Sequence, residues 1–156
     1  MNARNTDVLD WLRAHHTMTL ATQGEQGVWA AAVFYASDGF DLYFLSKPGA
    51  RHSGNIARDG RAAVTIQEDC SDWREVKGIQ AEGHVVELSG EAAGQARALY
   101  GAKYPVVGTL AGAPAAILQA LAKVHWYRFV PERLYFIDNS RGFGHRDEID
   151  CRDGRP

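Results

Sequence analysis

The chain has 156 residues, which suits one domain with a sizeable core and leaves little room for a separate substrate module. Its formal charge of -2 argues against a mainly electrostatic nucleic-acid partner, because such binding relies on clustered Lys and Arg that displace counterions. No apolar run approaches the ~20 residues needed to span a bilayer, and Arg4, Asp7 and Asp10 occupy the stretch where a signal peptide would have its apolar centre. A cytoplasmic location and no membrane partner are therefore expected.

Asn5 or Thr6 can cap a first helix, since Val8, Trp11, Leu12 and His15 follow at helical spacing and Asp7 and Asp10 lie near its positive end. Residues 18–22 read as a strand, 24–27 as a turn, 28–37 as a second strand entering the Asp38-Gly39 hairpin, and 40–46 as its antiparallel return. A short basic helix follows. Residues 62–67 and 79–88 form two more strands joined by a polar loop that contains Cys70, Asp72 and Trp73. Ser89 or Gly90 opens a helical stretch over 91–104, which Pro105 ends because the residue before proline disfavours helical geometry. A second helical stretch covers 114–123.

Residues 124–130 and 134–138 make the last extended region, interrupted by Pro131, which cannot donate to a ladder and so marks an edge or a bulge. The glycine- and charge-rich residues 140–156 are expected as a flexible tail of the same domain, 1–139, ordered only by a partner or a ligand. Cys70 and Cys151 are single and distant, so two reduced thiols are expected and no structural zinc.

The chemistry concentrates in residues 42–66, LYFLSKPGARHSGNIARDGRAAVTI. A strand ends there in Ser46-Lys47, and Arg51 and His52 follow at a helix start. A hydroxyl, cations and a positive dipole end then share one small volume, which suits an anion such as phosphate. The bland reading of the same residues is a solvated strand-to-helix loop. The run Ala30-Ala31-Ala32 beside Trp29 either packs closely under a helix or leaves room for a flat ring or a partner backbone. No pair among His15, His16, His84, His125 and His145 has i, i+4 spacing on a convincing helix, so no metal site is expected. His145 lies in a glycine-flanked segment where a ligand could recruit it. The chain has no Ser-His-Asp order and no P-loop or dinucleotide glycine motif, which leaves hydrolysis and nucleotide-driven transfer poorly supported.

The Ser46, Arg51, His52 arrangement resembles the flavin-binding split-barrel superfamily, the fold of pyridoxamine 5'-phosphate oxidase. There a strand ending in Thr or Ser precedes an Arg-Lys pair that holds the FMN phosphate. The likeness runs from MTLAT at residue 18 through FLS at 44 and GIQAEGHVVEL at 78, and the ending VHWYRFVPERLYFIDNSRGFGHRDEI is similar to a small bacterial branch of the superfamily. The resemblance implies an α+β fold: a six-stranded antiparallel split β-barrel with Greek-key connections and flanking helices, forming a homodimer that binds FMN between subunits.

It also implies flavin-dependent oxidation or reduction of a small molecule, with hydride passing through the flavin N5 and the cofactor carrying the reaction. Ser46, Arg51 and His52, assisted by Lys47, would then take the phosphate. Phe44 and Leu45 would lie along the ring, faced by Val33, Phe34 and Tyr35 of the neighbouring strand. Ala30 and Tyr35 stand where the vitamin enzyme has Arg and Lys, His52 replaces its phosphate Lys, and its Arg-rich C-terminal signature is missing, so pyridoxamine phosphate is not expected as substrate. The alternatives are binding of the deazaflavin F420 or of haem, and a flavin-holding module without turnover.

Overall fold

The structure, a computed structural model, describes residues 3–154. Helix α1 (Ala3–Ala14) buries Val8, Leu9 and Leu12 on one face. It starts earlier than expected, so Asn5 is not a cap but a buried residue inside the helix. Strand β1 (Thr17–Gly24) alternates strictly and sends Met18, Leu20 and Thr22 inward. It pairs along its whole length with β2 (Gly27–Phe34) across the Glu25-Gln26 turn, and Gly27 at φ +90° supplies the left-handed residue that turn requires.

The expected strand over 28–37 is broken at Tyr35. Its ring enters the core and its hydroxyl donates to the Leu12 carbonyl at 2.9 Å, so the chain turns a corner before β3 (Ala36–Asp38) and β4 (Asp41–Ser46). Helix α2 (Arg51–Arg58) leads to β5 (Arg61–Gln67) and the long β6 (Lys77–Leu88). Helices α3 (Gly90–Lys103), α4 (Pro105–Thr109) and α5 (Ala115–Ala122) then precede β7 (His125–Asp138) and β8 (Arg146–Ile149).

The described strands form one antiparallel sheet in the order β2-β1-β5-β6-β7-β4-β3, with β8 on the free side of β7. Strands β2 and β3 stand at opposite ends of that order, yet only Tyr35 separates them in the chain. The sheet must therefore curl until its ends meet, and the barrel closes at Tyr35 while the rest of the β2 edge stays apart. This is the split. Its interior is filled by Met18, Leu20, Leu42, Phe44, Ile66, Ile79, Tyr127, Phe129 and Leu134.

Among the described residues eight strands replace the expected six, because Tyr35 divides one and the tail supplies another. Strand β7 runs unbroken through Pro131 with a bulge: Gly83 faces Pro131 and Glu82 faces Arg133, so Glu132 has no opposite number. The proline is tolerated because β4 pairs only as far as Phe129 and β8 begins only at Leu134, so no second neighbour needs its missing N–H. The tail is more ordered than expected. Its strand β8 pairs with residues 134–137, and Asp147 accepts from Arg4 and Arg141 and lies 3.2 Å from His145 Nε2. No described helix is long and apolar enough to cross a membrane.

Candidate functional site

Helix α2 sits across the split between the β1–β2 turn and the end of β4. Two buried polar side chains, Asn55 and Ser53, fix it there. Asn55 Nδ2 donates to Thr22 Oγ1 at 3.0 Å, and Ser53 Oγ lies 2.9 Å from the Lys47 carbonyl and 3.0 Å from Ser46 Oγ. Gly24 is required for the first, since a Cβ there would collide with Asn55 Oδ1. The helix opens at Ala50 without a side-chain cap, which leaves its first amides to face an acceptor from outside.

Arg51 and His52, adjacent on the first turn, point to different strands. The Arg51 guanidinium donates to the Gln26 carbonyl at 2.9 Å and lies 4.5 Å over the Trp29 ring, while its Nε is buried without a partner among the described residues. On this flank Gly24, Glu25, Gln26, Gly49, Arg51, Gly54, Asn55 and Arg58 line a pocket of about 520 Å³. Arg58 pairs with Glu25 at 2.7 Å, so Arg51 is the cation there without a carboxylate partner among the described residues. His52 turns the other way, with Nε2 2.7 Å from the buried Ser46 hydroxyl, and burial holds its pKa below the ordinary value.

The structure therefore brings together only part of the expected set. Ser46 is buried, Lys47 exposed, and Arg51 and His52 half-buried on two flanks of one helix end. Phe44 is fully buried and stacks on Tyr127 at 5.2 Å, and Tyr35 is also in the core, so neither offers a wall to a ligand at the surface. The two-residue period of β4 explains this, since sending Leu42 and Ser46 inward sends Phe44 inward too. Leu45 is half-buried on the opposite side of β4, Val33 half-buried against the core, and Phe34 57% exposed with its ring edge on Tyr104.

Trp29, Gln26, Asn55, Ser53 and Arg58 were not anticipated. The glycines at 24 and 27 were legible only as a turn, and nothing in the sequence says that this turn faces α2. Away from the site, among the described residues no group of three or more His, Cys, Asp or Glu could hold a metal ion.

The family model for pyridoxamine 5'-phosphate oxidase matches residues 6–138. The chain belongs to that family. The chain is 28% identical over 141 residues to the UPF0306 protein YhbP of Escherichia coli O157:H7, covering 89% of this chain and 88% of that one. A putative pyridoxamine 5'-phosphate oxidase from Listeria innocua has the same fold, with a TM-score of 0.67, 15% identity, and coverage of 86% of this chain and 98% of that one. So does a heme binding protein from Mycobacterium smegmatis, at TM-score 0.73 and 18% identity over 97% of this chain. The chain spans 60% of that protein's length.

Proposed function

We propose that this chain binds FMN as the cofactor of an oxidoreductase acting on a small molecule other than pyridoxamine phosphate, with the phosphate at the open end of α2. The observation that carries this reading is the Arg51 side chain. It is held by Gln26 and Trp29 beside an uncapped helix start, and its Nε is buried with no acceptor among the described residues. A buried charged donor without a partner is costly, and an oxyanion at this point would satisfy it together with the free amides of the first turn. The pocket's glycines allow close approach of a phosphate, and Trp29 offers an aromatic face next to it. The bound flavin would supply the electron transfer, while the protein's part is to hold, orient and shield it.

The chain acts as a homodimer in this reading, with the site completed by the second copy. The register aligns Ala32, Thr19 and Thr65 in one row and Ala30, Ala21 and Ala63 in the next, on the outer face of the sheet. That face is flanked by the exposed Val28 and Phe34. Small side chains let another surface come close, and large apolar groups at the margin gain from being covered. The GFGHR segment after β7 is proposed to reach the partner's pocket.

Titration of the purified protein with FMN and riboflavin tests the assignment. Arg51→Ala should weaken FMN by about 1.5–3 kcal/mol, the cost of a lost charged hydrogen bond, and leave riboflavin unchanged. Equal losses for both flavins would reject the phosphate site.

A second reading, haem, is favoured by the pairing of His145 Nε2 with Asp147 at 3.2 Å, which orients an imidazole as ligating histidines are oriented, and by the shared fold of the heme binding protein from M. smegmatis. A haem absorption band that forms in the wild type and is lost in His145→Ala would put haem ahead of FMN.

A further inference from the structure

Resting on the phosphate pocket proposed above, we infer that Arg58 is the second cation of that pocket and that Glu25 masks it until a phosphate dianion arrives. His52 brings no charge to this flank, since its ring turns away to Ser46. The helical period brings one instead. From Arg51 the residues on the same face of α2 are Gly54, Asn55 and Arg58, and all of them line the pocket.

Arg51 and Arg58 start about 10 Å apart along the helix axis, but their heads converge. The Arg51 guanidinium donates to the Gln26 carbonyl at 2.9 Å, and the Arg58 guanidinium pairs with the Glu25 carboxylate at 2.7 Å. Glu25 and Gln26 are consecutive residues of the β1–β2 turn, so both cations are drawn to one corner of the pocket. Gly54 lies between them on the helix, and a Cβ there would meet nothing within 4 Å, so the space between the two side chains is open. Asn55 does not close it, because its side chain is buried against Thr22.

The mask is weakly held. The Glu25 side chain is 82% exposed and that of Arg58 57%, and solvated pairs of this kind contribute little. Glu25 has no other ion-pair partner among the described residues, so it can swing into water without breaking a second contact. The charged side chains lining the pocket are Glu25, Arg51 and Arg58. With the pair closed, only Arg51 offers its charge to a ligand. A phosphate monoester dianion can take the place of the Glu25 carboxylate on Arg58, and the two planar forks then match its charge and its oxygens. The uncharged hydroxyl of riboflavin has no means of displacing a carboxylate, so the exchange selects for the phosphate.

Titration of the whole chain with FMN and riboflavin at fixed ionic strength tests both residues. Arg58→Ala should weaken FMN about tenfold or more, the effect of a lost charged hydrogen bond, and leave riboflavin within about twofold. Glu25→Gln keeps the shape and removes the charge. It should strengthen FMN about two- to fivefold, the range of a solvated ion pair, again without effect on riboflavin. Arg58→Lys should recover only part of the affinity lost in Arg58→Ala, because an ammonium is a point donor and not a fork. Both side chains are at the surface, and circular dichroism checks that each variant is folded.

An unchanged FMN affinity in Arg58→Ala, or an equal loss for both flavins, would overturn the inference by leaving Arg58 a solvated partner of Glu25. An FMN affinity that stays the same or falls in Glu25→Gln would remove the mask and overturn it as well. If any of these results appears while Arg51→Ala still abolishes the preference for FMN over riboflavin, the phosphate pocket stands without Arg58. If the wild type has no such preference, the pocket fails and the inference fails with it.

Discussion

Strands β2 and β4 are near neighbours in the chain and both largely apolar, yet they have opposite fates. In β4, Leu42, Phe44 and Ser46 are buried. In β2 no residue is buried, Val28 is 80% exposed and Phe34 57%. The difference is one of neighbours: β4 lies between β3 and β7, whereas β2 pairs only with β1 and borders the split. Hydrophobicity in a strand states a demand for cover, and the sheet order decides whether the chain itself meets it. Where it does not, the apolar side chains are left for something outside the chain to cover.

The largest effect expected from breaking this contrast is on the buried side. Phe44→Ala removes a ring stacked on Tyr127 in the core and should cost about 3–5 kcal/mol in urea unfolding, whereas Phe34→Ala on β2 should stay near 0.5 kcal/mol in the monomer. Comparable losses for the two would mean that β2 is covered within the chain after all.

Next in size is the clamp that sets α2 across the split. Gly24→Ala drives a methyl into Asn55 Oδ1 and should cost about 1–3 kcal/mol of stability. It should also weaken FMN by shifting the pocket wall. An unchanged FMN affinity in a folded Gly24→Ala protein would detach the pocket from the ligand.

On the exposed side, Val28→Asp together with Phe34→Asp should leave the circular dichroism and the monomer's stability nearly unchanged and halve the mass seen by light scattering. A wild-type monomer at micromolar concentration would remove the dimer and the shared site together.

The smallest effect concerns a different seam. Lys103 of α3 donates to the carbonyls of Leu12 and His15, lies 4.4 Å over the Tyr35 ring, and is pushed down to about 8 by burial. Below pH 8 the amine is charged in both folded and unfolded chains. Between 8 and the ordinary lysine value the unfolded chain binds more protons, so stability should rise with pH. Burial raises the pKa of Tyr35, Tyr100 and Tyr104, which reverses the trend above about pH 10, where the unfolded tyrosines ionise first. Unfolding midpoints measured from pH 7 to 10 should therefore climb, and Lys103→Met should flatten the climb.

Much of this was readable from local chemistry. The β1–β2 turn, the Asp38-Gly39 hairpin, the break before Pro105 and the charged helix start after Ser46 all follow from residues within a few positions of one another. The flexible-tail reading failed because what orders β8 lies far away in sequence: the β7 edge and the Arg4 and Arg141 groups around Asp147. Phe44 and Tyr35 were placed against a ligand because aromatic residues suit a flavin. The inward phase of β4 and the corner at residue 35 put both in the core instead.

What the sequence determined by itself is the family, the antiparallel α+β architecture and the position of the cationic helix start, since periodicity, turn residues and short-range charge are local properties. Only the tertiary structure decided that Arg51 and His52 part company, one held over Trp29 and the other bonded to Ser46. Two adjacent residues on a helix project about 100° apart, and which strand each one meets is set by how the sheet curls.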